Sequence, residues 1–175
     1  PHRASGCVGT AHWVNDRITY DLRSTNRERE LSAIGHINNP GPDATWKCNL
    51  NVERGHLLFD EPFQKAIDAN PTMGKVVRAF NAYGWITGKG TLEKAVPRGE
   101  VRKVFDIDLV DLRMRHDRFP YTIENVQGKI KSIDKAFWFE NLTGSNGSGK
   151  ILCNGTWNPN NGLNAKYVCN NIQLD

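Results

Sequence analysis

The sequence predicts an α+β domain built mainly on an antiparallel β-sheet or a partly open barrel, with two to three short helices and two disulfides. Three observations predict this class. Several segments alternate apolar and polar residues as half-buried strands do. One segment spaces apolar residues as a helix does, and four cysteines occur singly along the chain. The 175 residues suffice for one compact domain and not for two large cores, so we expect residues 1–175 to form a single domain.

Two early segments carry the clearest strand pattern. In the segment Arg17–Leu22 every second residue is apolar, which is typical of a strand with one buried face. Residues 46–53 alternate in the same way and place Cys48 among the apolar positions. We therefore predict two strands here, with Cys48 on the buried side.

Helices are predicted in three places. Thr25 and Glu28 have the spacing of a capping box, and apolar residues follow at helical spacing, so a short helix is predicted over about 26–37. A second helix is predicted to begin after Asp60 and to end at Asn70-Pro71. The run 75–86 fits a helix or a strand, and the helix is favoured.

The second half of the chain reads as strands. Residues 105–109 alternate in one phase and residues 110–114 in the opposite phase, which predicts a β-bulge between them. Further strands are predicted at 121–126, 129–133, 136–141, 151–157 and 164–170.

Two disulfides are predicted from the cysteine positions. A three-residue hairpin loop at 160–162 would place Cys153 opposite Cys169, within bridging distance. Cys7 would then pair with Cys48 and tether the N-terminal segment to an early strand. The alternative is four free thiols in a reducing compartment.

Charge and sequons bear on the compartment. Asn141, Asn146 and Asn154 begin N-x-[ST] triplets, so we expect a secreted, extracellular glycoprotein. The formal charge of +4 comes from interleaved basic and acidic residues, which argues against a nucleic-acid partner. Apolar runs are far too short for a transmembrane segment.

Two signals for a cofactor or metal are rejected. The segment 144–150 matches the G-x-x-x-x-G-K pattern of a phosphate-binding loop, but Ile151 follows where a hydroxyl is needed, and a hairpin rather than a helix is predicted next. We expect this segment to be a mobile, glycosylated loop. Asp106, Asp108 and Asp111 suggest a divalent metal, but the phase change separates the last of them, so no metal and no cofactor are expected.

Glu53, Arg54 and His56 are the candidate catalytic residues. A ribonuclease needs a base, an acid and a cation, and these three side chains supply such a set within four residues. A polar turn after a strand explains the same residues. In size, basicity and predicted disulfides the chain is similar to secreted fungal ribonucleases and ribotoxins, although their catalytic strand motifs do not align with it.

Two tryptophans are the candidate binding residues. Trp46 and Trp138 lie in apolar alternation and are predicted to be core. Trp85 lies in a glycine-rich segment and Trp157 beside an Asn/Pro turn, so these two are expected to be exposed. An exposed indole can stack on a sugar or anchor a protein partner.

As a whole the chain resembles the small secreted cysteine-containing proteins of plant-associated fungi, which include avirulence and toxin-like effectors. The resemblance rests on size, Asn-rich and Gly-rich loops, four spaced cysteines and the lack of enzyme motifs. It implies a monomeric binding protein that recognises a host protein receptor or a cell-surface glycan without a cofactor. The alternatives are a secreted hydrolase such as a ribonuclease, and a carbohydrate-binding protein.

Overall fold

The protein is built on one antiparallel sheet of ten strands in which every strand pairs with its neighbours in the chain. The computed structural model describes residues 6–27, 29–57, 78, 81–116 and 121–171. The strands are β1 Cys7–Val14, β2 Arg17–Ser24, β3 Arg29–Asn38, β4 Thr45–Leu57, β5 Tyr83–Lys94, β6 Arg102–Met114, β7 Ile123–Ile133, β8 Ala136–Asn146, β9 Gly149–Asn158 and β10 Gly162–Asn170. In this order β1 and β10 lie at the two ends of the sheet.

Tight turns of two or three residues connect four pairs of strands, β1–β2, β7–β8, β8–β9 and β9–β10. Asn15 and Asp134 each begin a two-residue hairpin turn and have φ of 51° and 53°. Asparagine and aspartate tolerate this left-handed conformation better than other residues with a side chain. These two turn residues therefore favour the ends of β1 and β7 at the positions where the structure has them.

One face of the sheet is apolar across its whole width. Because directly paired residues point to the same side, the registers define rows that cross the sheet. One row on the apolar face consists of Gly9, Leu22, Ala33, Leu50, Gly90, Phe105, Ser132, Phe137, Trp157 and Leu163. The adjacent row on the polar face consists of Val8, Arg23, Ser32, Asn51, Lys89, Asp106, Lys131, Trp138, Thr156 and Asn164.

The most buried apolar cluster lies on the apolar face of β6 and β7. Leu109, Leu112 and Val126 are its buried members. Half-buried neighbours pack against them from β4, β5 and β8, among them Leu57, Ile86 and Leu142. The core is thus displaced toward the middle strands, and the outer strands are more exposed.

The α+β prediction is wrong. No helical segment of a full turn occurs among the described residues, and the segment predicted as a helix over 26–37 is the strand β3. Leu31 and Ile37 lie on the apolar face, whereas Ile34 lies on the polar face and is exposed. Thr25 does not cap a helix, because its Oγ1 donates to the carbonyl of Gly6 at 2.9 Å.

Of the other two predicted helices, one lies outside the described residues and the other lies partly outside them. The segment after Asp60 lies outside them entirely, and so do residues 75–77, 79 and 80 of the run 75–86. The described end of that second run, from Tyr83 onward, belongs to β5 and is therefore a strand. No helix in the described part of the chain has the length and apolarity to cross a membrane.

The bulge predicted in β6 is confirmed. Leu109 pairs with Ile86 and Asp111 pairs with Trp85, so Val110 is an extra residue on β6. The inserted residue returns Leu112 to the apolar face, which explains the change of phase in the sequence.

The predicted disulfides are wrong, and all four cysteines are free. Asn158 pairs with Gly162, so the hairpin turn lies one residue earlier than expected and Cys153 faces Tyr167 instead of Cys169. Cys7 on β1 and Cys48 on β4 have two strands between them, about 14 Å of sheet, well beyond the reach of a disulfide.

Candidate functional site

A stack of four side chains on the polar face joins residues from β4 and β5. We name Arg54, His56, Tyr83 and Trp85 the aromatic stack. His56 lies directly opposite Trp85, and the two rings are nearly parallel at 11° with their centroids 4.1 Å apart. The Tyr83 ring meets the imidazole edge-on, with centroids 5.0 Å apart. The Arg54 guanidinium carbon lies 4.2 Å from the indole centroid, a cation–π contact.

Two bulges on either side of β5 create this arrangement. On β4 the register shifts between Val52 and Gly55, and Glu53 is the extra residue relative to β3. The shift turns Arg54 and His56 to the polar face and Gly55 to the apolar face. The Val110 bulge on β6 shifts the register on the other side of β5 at the same level. Bulges of this kind redirect side chains at the rims of sites.

One hydrogen bond to the backbone and one ion pair lie beside the aromatic stack. Arg29 donates from Nε to the carbonyl of His56 at 3.3 Å. Arg113, the residue opposite Tyr83, forms an ion pair with Glu124 at 3.6 Å. The imidazole Nδ1 of His56 is buried and has no hydrogen-bond partner in the described structure. The stack is therefore held mainly by ring contacts and not by side-chain hydrogen bonds to the imidazole.

Of the three predicted catalytic residues, two meet at the stack. Arg54 and His56 both contact Trp85. The Glu53 carboxylate instead accepts a hydrogen bond from the Asn51 amide at 3.3 Å. Nothing in the described contacts pairs this carboxylate with the imidazole.

The two predicted binding tryptophans do not form one site. Trp85 lies on the polar face of β5 and is half-buried by its contacts within the stack. Trp157 lies on the apolar face of β9 and packs against Phe137 with centroids 5.6 Å apart. Tyr83 is a site residue that the sequence reasoning missed. The alternation of Tyr83 with Trp85 was the available signal, and the favoured helix obscured it.

Two of the three aspartates that suggest a metal site in the sequence form ion pairs with a lysine. The Lys129 ammonium lies 3.4 Å from Asp106 and 3.5 Å from Asp108. These carboxylates, Asp106 first, raise the pKa of Lys129. The bulge places Asp111 beyond them, opposite Trp85. In the described ranges no group of three or more candidate ligands is arranged to hold a metal ion.

Two thiols that were expected in disulfides form hydrogen bonds with tyrosines on the apolar face. Tyr20 bonds Cys48, and burial followed by this contact raises the pKa of Tyr20 above its ordinary value. Tyr167 lies opposite Cys153 and bonds it; burial raises the pKa of the Cys153 thiol, and burial also raises the pKa of Tyr167. A thiol whose pKa is raised is protonated at neutral pH, so the Cys153 thiol is a poor nucleophile.

The segment that resembles a phosphate loop is a tight hairpin between β8 and β9. Asn146 pairs with Gly149, and Gly147 in the two-residue turn has φ of 55°. The expectation of a loop over 144–150 is therefore wrong, because all but two of these residues belong to the paired strands β8 and β9. The other two sequon asparagines lie on strands, where the Asn154 side-chain oxygen accepts a hydrogen bond from the Asn141 backbone at 2.7 Å.

No protein-family model, no curated protein and no solved structure matches this chain.

Proposed function

We propose that this chain is a binding protein that recognises a protein partner through the aromatic stack. The proposal rests on the stack itself. The Arg54 guanidinium carbon lies 4.2 Å and the His56 ring centroid 4.1 Å from the Trp85 ring centroid, and Tyr83 contacts His56. Tryptophan, tyrosine and arginine are the residues that most often dominate the energy of protein interfaces. Tyr83 is 51% exposed and offers its ring and hydroxyl to a partner.

The contacts within the stack support tight recognition. Association loses free energy when flexible side chains become ordered, about 0.5–1.5 kcal/mol for each rotamer-rich side chain. Here the indole, the imidazole and the guanidinium already restrain one another before any partner arrives. Two bulges fix the strands that carry them. A partner would therefore meet a preorganised surface.

The same geometry favours binding over hydrolysis. A histidine that acts as a base is oriented by an acceptor on its second nitrogen. The Nδ1 of His56 is buried without such a partner among the described atoms, and Glu53 is bonded to Asn51. A ribonuclease would need both groups to converge on one phosphate.

The contacts of the two tryptophans favour a protein over a glycan as the binding partner. A sugar platform needs an open indole face. Trp85 already contacts Arg54 and His56, and Trp157 lies on the opposite face of the sheet. An extracellular location remains a proposal that rests on the sequons, because the disulfide argument for it no longer stands.

Binding by single-residue variants tests the proposal. Wild-type protein immobilised on a sensor is used to isolate and identify the partner, and each dissociation constant is then measured with purified partner. Tyr83→Ala and Arg54→Ala should each raise Kd by about tenfold or more, as expected for residues at the centre of an interface. The matched control is Tyr167→Ala, because Tyr167 is equally exposed, at 57%, but lies on the apolar face.

Two results would overturn the proposal. One is a partner that binds the wild type and all three variants equally, which would place recognition elsewhere. The other is cleavage of RNA by the purified protein that is lost in folded His56→Ala, which would make the chain a hydrolase.

A further inference from the structure

The end strand β1 has an unusually open outer edge. All eight of its residues are exposed, and within the described part of the chain β2 is its one strand partner. Val8, Trp13 and Val14 are 58%, 69% and 66% exposed. Edge strands are normally protected from pairing by charged residues or proline. β1 contains no Lys, Arg, Asp, Glu or Pro, so its edge carries none of these protections.

The hydrogen bonds at the start of β1 show which amides point outward. The Thr25 backbone N–H donates to the carbonyl of Gly6 at 2.7 Å, immediately before the pair formed by Cys7 and Ser24. Hydrogen-bonded and non-hydrogen-bonded pairs alternate along an antiparallel pair of strands. The even-numbered residues of β1 therefore bond to β2. The odd-numbered residues Cys7, Gly9, Ala11 and Trp13 direct their amide groups away from the sheet.

We propose that two copies of this chain form a symmetric dimer in which β1 pairs antiparallel with β1 of the partner subunit, with Ala11 at the two-fold axis. In this register Ala11 faces the partner's Ala11, and Gly9 faces the partner's Trp13. These are odd-numbered positions, so their outward amides and carbonyls bond each other. The two sheets then become one continuous sheet.

The side chains select this register. On the polar face Val8 lies opposite the partner's Val14, so two exposed apolar residues cover each other. On the apolar face Trp13 lies against the partner's Gly9, which has no side chain to obstruct the indole. Moving the axis to Thr10 would place Val8 against a histidine and would leave Val14 opposite the partner's Gly6. Ala11 at the axis places a residue of the partner opposite each of the three large exposed apolar side chains of β1, Val8, Trp13 and Val14.

The Trp13 ring is already fixed for this contact. Its indole N–H donates to the Asn15 carbonyl at 2.6 Å, which holds the ring beside the β1–β2 turn. Leu22 lies over Gly9 on the apolar face, since a Cβ at Gly9 would lie 2.9 Å from Leu22 Cδ2. The partner's indole would therefore meet a leucine side chain as well as the glycine backbone.

A symmetric pair is favoured over pairing of β1 with β10 of another copy. A two-fold contact uses the same edge twice and closes, whereas a head-to-tail contact between β1 and β10 would continue into a filament. Pairing through one strand buries less area than a standard protein interface, so the dimer should dissociate in the micromolar range or weaker. The sequence alone predicts a monomer, and the open edge of β1 is what argues for the dimer.

Sedimentation equilibrium of the full chain over micromolar to millimolar concentrations tests the proposal. Wild type should dimerise, and the amides of Gly9, Ala11 and Trp13 should exchange more slowly with solvent as concentration rises. Ala11→Pro removes an outward N–H, which an edge strand tolerates, and should give a folded monomer. Val8→Lys places a charge against the partner's Val14 twice in each dimer and should raise the dimer Kd by about tenfold.

The matched control is Val168→Lys, a similar change at an exposed valine on β10. It should leave dimerisation unchanged. The proposal is overturned if wild type stays monomeric throughout, if Ala11→Pro dimerises as wild type does, or if Val168→Lys is the variant that weakens association.

Discussion

Gly90 lies beneath the ring of Phe105, and replacing it tests how the apolar face is packed. The two residues are directly opposite on β5 and β6. An ideal Cβ at Gly90 would lie 2.6 Å from Phe105 Cδ1 and 2.7 Å from Cε1. Gly90 is itself buried. Tyr20 lies over Gly35 in the same manner, with its hydroxyl oxygen 2.6 Å from the Cβ position. Aromatic rings thus fill the space that the glycines leave open.

The expected effect of Gly90→Ala follows from these distances. Nonbonded carbon atoms prefer about 3.5–4.0 Å, so the Phe105 ring must retreat by about 1 Å. Overpacking of this kind costs about 1–3 kcal/mol. Alanine in a strand regains about 0.5–1 kcal/mol relative to glycine. We therefore expect Gly90→Ala to lower the free energy of unfolding by about 1–2 kcal/mol.

The double variant provides the control. In a Phe105→Ala background the obstructing ring is gone, and Gly90→Ala should become neutral or stabilising by about 0.5–1 kcal/mol. The coupling between the two changes should then be about 2 kcal/mol, well above the scatter of independent sites. Urea unfolding of the four proteins, followed by circular dichroism, measures it. Additive effects within about 0.5 kcal/mol would refute the argument that the ring rests on this glycine.

Three further predictions concern stability and modification. Leu112→Ala should lower the free energy of unfolding by about 2–4 kcal/mol in urea titrations, whereas exposed Leu163→Ala should change it by less than about 1 kcal/mol; equal effects would contradict the assigned core. Burial raises the pKa of Tyr20 above its ordinary value of 10.0, so as pH rises the tyrosine ionises in the unfolded chain before it ionises in the folded protein. The free energy of unfolding should therefore fall with rising pH in alkaline urea titrations, and it should fall less steeply in Tyr20→Phe. Asn146 Nδ2 donates to the Thr122 carbonyl at 2.8 Å, so mass spectrometry of protein from a glycosylating host should find this sequon less occupied than the other two, and full occupancy there would contradict the role of that bond.

Alternation was enough to predict strands but not to exclude a helix. The bulge in β6 could be predicted because both halves of the strand alternate clearly, and one inserted residue is what reverses the phase of an otherwise continuous strand. In β3 the apolar residues Leu31, Ile34 and Ile37 fit a helix, while Leu31 and Ile37 also fit a strand. Pairing with β2 on one side and β4 on the other decides the outcome, and a local pattern does not contain that pairing.

The disulfide error shows how sensitive register is to the turn. Moving the β9–β10 turn by one residue changes the partner of Cys153 from Cys169 to Tyr167. The sequence does not show which turn forms, because the connection is rich in asparagine throughout. In the structure the Asn158 side-chain oxygen accepts hydrogen bonds from the backbone of Asn160 and Asn161 within the turn. The predicted Cys153–Cys169 pair therefore depends on the position of one turn, and the Cys7–Cys48 pair is predicted only because those two cysteines are left over.

The candidate site could be predicted only in fragments. The sequence indicates Arg54 and His56 for charge and proton transfer and Trp85 for exposure, which are separate hypotheses. They belong together because β4 and β5 pair in a register that sets His56 directly opposite Trp85. That register depends on a bulge at Glu53, where the sequence offers no clear sign.

The distribution of charge on the polar face explains why the aromatic stack is the better candidate for recognition. Two cations of this face are engaged within the sheet: Lys129 lies between two aspartates, and Lys131 bonds Glu140 at 2.9 Å. Exposed ion pairs contribute little free energy, and groups already paired have little left for a partner. Arg54 differs from these lysines, because its guanidinium lies over an indole ring and not beside a carboxylate. The residue is exposed, so the N–H groups of the guanidinium can donate hydrogen bonds to a partner. A partner that accepts hydrogen bonds there and covers Tyr83 would gain both polar and apolar contacts at one place on the sheet.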